Sequence, residues 1–395
     1  MDAVMTNQCP SPPRAEIQVD VDAIRRNVAL LAGLAAGSGA QTMAVVKADG
    51  YGHGATEVAA AALSAGASWI GVASVDEALA LRAAGIKSKM FCWLHTVADD
   101  FASAVAAGVD LSVSSPRQLS SAVSAVRAAG REAMIHLKID TGLTRNGCLP
   151  ADWPALVEAA ARAQADGAIE VAAVWSHLAC ADQPGHPSID RQATRFDEAA
   201  KMAVDAGLQP LRHLANSAAT LTRPDLHFDL VRPGIAVYGL NPVAGLSVPL
   251  RPAMTFRSSV SLVRRAPAGE SVSYGHTWTT PAETTLALVP VGYADGVPRA
   301  LSGRMRVWLA GRNRPVVGRV CMDQIVVDCG DDQVHEGDEV ILFGPGDRGE
   351  PTAREWADAV GTIDYEIVTG MYRPRMRRRY LGDPCPGDTH AESDS

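Results

Sequence analysis

The stretch MAVVKADGYGHGA, from Met43 to Ala55, begins as an apolar run, meets Lys47, and then breaks into Asp49, Gly50, Tyr51, Gly52, His53 and Gly54. A buried strand that closes on a cation and passes into three glycines marks the end of a strand where the chain turns tightly. From this stretch onward, apolar runs recur as MAVVKA, WIGVAS, MFCWL, LSVSS, MIHLKID, AAVWSHL, LRHLANS and LVRPGIAVYG. Between them lie alanine-rich segments with helical periodicity, such as TEVAAAALSAGA and SPRQLSSAVSAVRAAG, many closing on glycine. One of them opens with Ser74-Val75-Asp76-Glu77, a capping-box pattern. Strands that are apolar throughout and alternate with helices imply a parallel sheet covered on both faces. Eight such units predict a (β/α)8 TIM-like barrel over residues 14–245, with an open doubly wound sheet as the competing arrangement.

After Pro249 the pattern changes. TFRSSVSLVRRA, TTLALVPVGYADG, RPVVGRVCMDQIVVDCG and GDEVILFG alternate like half-buried strands between Gly, Pro and Asp turns. This predicts a mostly β C-terminal domain over residues 246–382, with one late helix in PTAREWADAVGT. The strand-like AEIQVDV precedes the eightfold pattern and suits either domain. Residues 1–13 and 383–395 are rich in Pro, Ser and Asp and are expected to be disordered.

Composition narrows the partners. The 395 residues carry 36 Lys and Arg against 44 Asp and Glu, net −8, which disfavours nucleic acid and membrane surfaces. Seven scattered cysteines without a CxxC pair, and a start lacking a basic-then-apolar leader, favour reduced thiols and a cytoplasmic location. No HExxH or compact His/Cys cluster offers a metal site, and neither a Walker sequence nor GxGxxG is present.

The polar residues at the strand ends carry the chemistry. Lys47 ends the first run; Asp140 and Arg145 follow the fifth; His177 ends the sixth; Asn216 and Ser217 end the seventh; Arg232 and Gly234 interrupt the eighth. Barrel enzymes place their active sites at the carboxyl ends of the strands. A lone lysine there is more often a surface cap, but five strands converging on one rim with Lys, Arg, His, Ser and Arg form a set. Glycines beside polar donors in ANSAAT and RPGIAVYG suit a closely approached anion such as phosphate. A lysine emerging from an apolar strand suits Schiff-base chemistry, because desolvation favours the neutral amine. Together these point to a phosphorylated aldehyde cofactor, pyridoxal 5′-phosphate (PLP).

At these residues the sequence resembles the alanine racemases, PLP enzymes with a barrel and a C-terminal β domain. AVVKADGYGHGA resembles their cofactor-attachment signature. The likeness continues through LKIDTGLTRNG, WSHLACAD, HLANSAAT, VRPGIAVYG, VSYGHT, VPVGYADG and GRVCMDQ to TIDYEIVTG, over residues 14 to 382. Gly50 stands where alanine is common in the family, and Thr144 where glycine is common.

The resemblance implies a role for each matching residue. Lys47 holds PLP covalently and moves the α-proton on one face; Tyr274, from the partner subunit, serves the other face. His177 contacts that tyrosine, and Arg232 contacts His177 and the pyridine nitrogen. Tyr51, Ser217, the backbone at Gly234 and Ile235, and Tyr365 hold the phosphate, with Asn216 among the cofactor contacts. Arg145 faces the cofactor's phenolic oxygen, and Lys138 is a possible carbamylation site that orients it. Met322 offers its N–H to the substrate carboxylate, flanked by Cys321 and Asp323 in support. Tyr293 narrows the entrance with Tyr365, and Asp182, Arg299, Arg319 and Ile363 lie outside. The implied activity is interconversion of L- and D-alanine for peptidoglycan synthesis by a homodimer with shared sites. A racemase acting on serine or lysine, a decarboxylase of similar layout, and a PLP-binding protein without turnover are the alternatives.

Overall fold

The structure is a computed structural model that describes residues 14–96, 98–371 and 373–382. The termini expected to be disordered, 1–13 and 383–395, lie outside the described residues. The chain divides into two compact units: Val21–Arg251, and Pro252–Gly382 together with residues 14–20.

In the first unit the eight apolar runs become eight parallel strands: Gln41–Val45, Trp69–Val72, Lys89–Cys92, Asp110–Val113, Ala133–Lys138, Ile169–Trp175, Leu211–His213 and Leu230–Val231. Gln41–Val45 pairs with Trp69–Val72 on one side and with Leu230–Val231 on the other. The last strand thus lies beside the first, and its other side meets the end of Leu211–His213, so the sheet curls back on itself and the open doubly wound arrangement is ruled out. At the remaining seam the closure is thin, an isolated bridge between Asn216 and Arg232 and a bond from the Asp229 N–H to the Arg212 carbonyl. The fold is a nearly closed eight-stranded barrel.

Its interior is packed by residues from strands distant in sequence. Met43, Trp69, Phe91, Trp175 and Leu230 form one buried cluster, and burying each such side chain stabilises by roughly 1.5–3 kcal/mol. The helices carry the local signals expected of them. Val75–Ala83 begins with a complete Ser74/Glu77 capping box. Pro116–Ala129 has Ser115 as its N-cap, Pro116 in its first turn and the left-handed Gly130 closing it.

The second unit is a nine-stranded, mostly antiparallel sheet with a separate two-stranded ribbon. Its strands Met254–Ser259 and Ile325–Gly330 alternate strictly between buried and half-buried positions, the mark of a sheet with one face on a core. The late helix is present as Ala353–Val360, with a Thr352/Glu355 capping box and the left-handed Gly361. A second short helix, Asp364–Thr369, follows it. The strand Glu16–Asp20 lies between Met254–Ser259 and Arg377–Leu381 in this sheet. Residues 14–20 thus belong with the β unit, and the barrel unit runs to Arg251, both differing from the expected limits of 14 and 245. Among the described residues no helix is long and apolar enough to cross a membrane.

Candidate active site

Lys47 lies two residues beyond its strand, not at the strand's last position as the sequence reading had it. The strand stops at Val45 because the next residues enter a left-handed turn: Ala48, Asp49, Gly50 and Tyr51 all have φ between 51° and 60°. Such conformations cost of order 1–3 kcal/mol for each non-glycine residue, so the surroundings must hold them. Here Glu77 accepts from the Ala48 N–H with one carboxylate oxygen (2.7 Å), and from the Ala73 and Ser74 N–H groups with the other (2.8 and 3.2 Å). Asp49 accepts from the Ala55 N–H at 2.9 Å. His53 is fully buried against Tyr238, its Nδ1 3.1 Å and 3.0 Å from the Gly50 and Tyr51 carbonyl oxygens.

The turn aims two side chains at the barrel mouth. The Lys47 ammonium lies 5.9 Å from the Tyr51 ring centre and 6.0 Å from that of Trp93. Burial among these rings lowers its pKa, helped by the positive charge of Arg145 and opposed by Glu77. The Tyr51 hydroxyl lies hard against Gly234: a Cβ there would come within 2.4 Å of it and would push the tyrosine away. Ser217 completes this corner, its hydroxyl oxygen accepting from the N–H groups of Gly234 (2.8 Å) and Ala236 (3.3 Å). Asn216 caps the helix that starts at Ser217, accepting from the Ala219 N–H at 3.1 Å. Ile235 is buried at the start of a 3-10 turn, Ile235–Tyr238. The eighth apolar run is therefore a strand of two residues followed by a turn, and Arg232 and Gly234 also lie past a carboxyl end. A corner of hydroxyls and backbone N–H groups suits an anion such as phosphate.

Four cations, Arg232, Arg145, Lys138 and Lys47, lie close enough to His177 to act on its charge. Arg232 is buried; its Nη2 donates to the carbonyls of Ser176 (2.8 Å) and Leu214 (3.2 Å) and lies 3.5 Å from His177 Nδ1. Burial lowers its pKa to about 9, so it stays cationic at neutral pH. Burial, then Arg232 and the nearby Arg145, Lys138 and Lys47, push His177 well below the usual histidine range and hold it neutral. Lys138 sits 4.2 Å from the Trp175 ring centre, and burial with Arg145 and Arg232 brings it down to about 7. Arg145 projects from an exposed loop organised by Asp140, whose Oδ1 accepts from the N–H groups of Gly142, Leu143 and Thr144 at 2.9 to 3.1 Å. Asp182 is exposed in the loop that follows the strand Ile169–Trp175.

The β unit assembles a second group. Tyr274 stands in a short turn between the ribbon strands Ser271–Val272 and Trp278–Thr279 and is 72% exposed. Arg319 packs against that turn, its guanidinium 3.0 Å from where a Cβ on Gly275 would lie. The Ser273 hydroxyl donates to the Arg319 carbonyl (2.8 Å) and lies 3.2 Å from the Cys321 sulfur. The Tyr293 and Ala294 N–H groups donate to the carbonyls of Cys321 and Met322 at 3.0 and 2.9 Å, so Gly292 has no room for a side chain. Asp323 pairs with Arg375 at 2.7 Å. Tyr293 and Arg299 share a cleft with Thr362, Glu366 and Ile367, beside Ile363 and the helix bearing Tyr365. The candidate residues thus fall into one set on the barrel and one on the β unit.

Models of the two alanine racemase domains match this chain in order, the N-terminal domain over residues 19–242 and the C-terminal domain over residues 253–380. The chain belongs to the alanine racemase family. An alanine racemase of Salinispora arenicola is 58% identical over 371 residues, 94% of this chain and 99% of that protein. One from Mycobacterium avium is 56% identical over 370 residues, 93% and 95% of the two chains. The crystal structure of alanine racemase from D-cycloserine-producing Streptomyces lavendulae matches with a TM-score of 0.92 at 52% identity, covering 95% of this chain and 98% of that one.

The residues that hold the site from behind carry only weak signals in the sequence. Glu77 was legible only as a helix cap, although its second task is to clamp the turn after Lys47. Tyr238 packs on Tyr51 with ring centres 4.8 Å apart and donates to the Val45 carbonyl at 2.9 Å. His136 and His213 sit in the runs MIHLKID and LRHLANS, and their signal was a polar residue inside an otherwise apolar strand.

Proposed function

We propose that the protein is an alanine racemase that interconverts L- and D-alanine with PLP bound at Lys47, acting as a homodimer. The observation that carries this is the desolvated Lys47 amine placed beside the Tyr51–Ser217–Gly234 corner. An amine with a lowered pKa is available to bond an aldehyde carbon, and hydroxyls with backbone N–H groups suit that aldehyde's phosphate. The donor set and the missing Cβ at Gly234 therefore fit PLP. When bound, PLP supplies the electron sink that acidifies the α-carbon of the amino acid.

The chain's own residues then divide the work. Lys47 Nζ takes or returns the α-proton on one face. Tyr274 Oη serves the opposite face, supplied by the partner subunit; the exposure of Tyr274 and Met322 on the single chain supports this. Arg232 only donates hydrogen bonds, so a cofactor ring nitrogen placed against it would be held as an acceptor without a proton. That would weaken the sink and disfavour transamination. His177, held neutral, remains able to accept from a tyrosine hydroxyl. Tyr293 and Tyr365 restrict the side chain to a methyl group by exclusion. Lys138, at about 7, has enough neutral amine to add to CO2 and release a proton, leaving a carbamate whose negative charge would lie near Arg145 and Arg232. D-Alanine for peptidoglycan is the product's use under this reading, in the cytoplasm.

Purified protein is expected to show the absorbance of protein-bound PLP and to exchange the α-deuterium of both alanine enantiomers, while Lys47→Ala loses both properties. Protein that takes up no PLP would overturn the proposal. A panel of serine, lysine and other amino acids separates alanine from broader racemisation.

A further inference from the structure

The barrel interior contains a buried polar chain that the proposed reaction leaves unused. Asp110 begins its strand, and its Oδ2 lies 3.1 Å from His136 Nε2. His136 Nδ1 lies 2.9 Å from His213 Nε2, and His213 Nδ1 lies 3.0 Å from Arg232 Nη1. Both rings are fully buried, His136 stacked on Phe91 (centres 4.2 Å, 15°) and His213 on Trp175 (5.7 Å, 4°). The chain thus runs from the amino end of one strand to the residue just past the carboxyl end of Leu230–Val231.

Donor and acceptor rules leave it one direction. A guanidinium only donates, so His213 Nδ1 must accept and carry no proton. A neutral His213 ring then bears its proton on Nε2 and donates to His136 Nδ1. His136 in turn bears its proton on Nε2 and donates to the Asp110 carboxylate, which only accepts. All three contacts are satisfied with two neutral rings. An imidazolium at His213 would set an N–H against an N–H and a cation beside Arg232, and burial with Arg232 drives that ring's pKa far down. Arg232 sets this direction from one end and Asp110 from the other; without Asp110 the buried His136 Nε2–H loses its carboxylate acceptor, which weakens the preference against the reverse tautomers, in which a His213 N–H turns toward Arg232.

We propose that Asp110 is a positioning residue for Arg232: through His136 and His213 it reinforces the ring tautomers that turn a lone pair toward Arg232 Nη1, so that the guanidinium is held in one orientation. Hydrogen bonds running in one direction also polarise one another, which extends the influence of the carboxylate to the rim. Only the consequence for catalysis rests on the racemase reading, in which Arg232 faces the cofactor ring.

The test is 15N–1H spectroscopy of the histidine rings in the PLP-loaded protein, with the signals assigned through His136→Gln and His213→Gln. Both rings are expected as neutral Nε2–H tautomers in the wild type. Asp110→Asn keeps an acceptor oxygen and should keep both tautomers; Asp110→Leu should leave a mixture. In the same samples Asp110→Leu should shift the absorbance maximum of bound PLP and speed its loss about tenfold, in line with the 10–100-fold typical of lost outer partners at metal sites. Asp110→Asn should restore much of both. An Nδ1–H tautomer or an imidazolium at either ring of the wild type overturns the proposal. So does an Asp110→Leu protein with unchanged tautomers, or with altered tautomers but wild-type PLP absorbance and retention. The wild-type and Asp110→Asn spectra decide the matter even if Asp110→Leu fails to fold. If the wild type binds no PLP, the racemase reading falls while the tautomer measurement on the free protein still stands.

Discussion

Thr144 has φ +56°, a left-handed position where a β-branched side chain is a rare outlier. Strain there is of order 1–3 kcal/mol, whereas the added freedom that glycine brings to the unfolded chain costs roughly 0.5–1 kcal/mol. The strain is the larger effect, so Thr144→Gly is expected to stabilise by about 1 kcal/mol, read from the urea midpoint; a lower midpoint would contradict this. Lys138 makes a pH prediction. It titrates at about 7 in the fold against a usual 10.5, so the unfolded chain holds more protons between those values. Stability therefore rises with pH across that window and is lowest below about 7, where the ammonium itself must stay buried. In CO2-free buffer the advantage of Lys138→Met over the wild type should be largest below pH 7 and shrink toward pH 10. A constant difference would mean that Lys138 is not desolvated. With CO2 present, intact mass should show an adduct on Lys138 that is lost on acidification.

At the scale of elements, the turn after Lys47 shows where local sequence stops being informative. The glycines at 50, 52 and 54 announce a tight turn, and all three adopt positive φ. They do not announce that Ala48, Asp49 and Tyr51 share the left-handed region, because no alanine or tyrosine prefers it. That conformation depends on Glu77, twenty-nine residues away along the chain from Ala48. Glu77→Ala removes the acceptor of three backbone N–H groups and should cost about 2–4 kcal/mol by denaturant unfolding, beyond the ~1 kcal/mol of a lost cap. A loss of 1 kcal/mol or less would show that the cap is its whole contribution. The same division holds for the strands. Their apolar runs were plain in the sequence, but the eighth ran on into a turn, since IAVY is as apolar as a strand while forming a 3-10 element. Periodicity alone does not separate the two in so short a segment.

At the scale of the whole molecule, the proposed dimer makes a prediction that no single chain can satisfy. Lys47→Ala and Tyr274→Phe are each expected to abolish racemisation. If Lys47 and Tyr274 of one site come from different subunits, a mixed dimer of the two variants has one intact site and one doubly defective site. Equal mixing with subunit exchange should then restore about a quarter of wild-type activity. No recovery, in dimers shown by mass to be mixed, would place both residues on one chain.

The eight strand–helix repeats, the one-sided sheet after them and the chemical identity of each residue past a strand end are all written in local sequence. Those features are set by periodicity, caps and turn residues, which act over a few neighbours. Tertiary structure decided the rest. It assigned Glu16–Asp20 to the β unit through pairing with Met254–Ser259. It also curled the sheet by joining Gln41–Val45 to Leu230–Val231, and set His136 against His213 across seventy-seven residues of chain. Each of these depends on the register between strands far apart in the sequence, and only the packed core fixes that register.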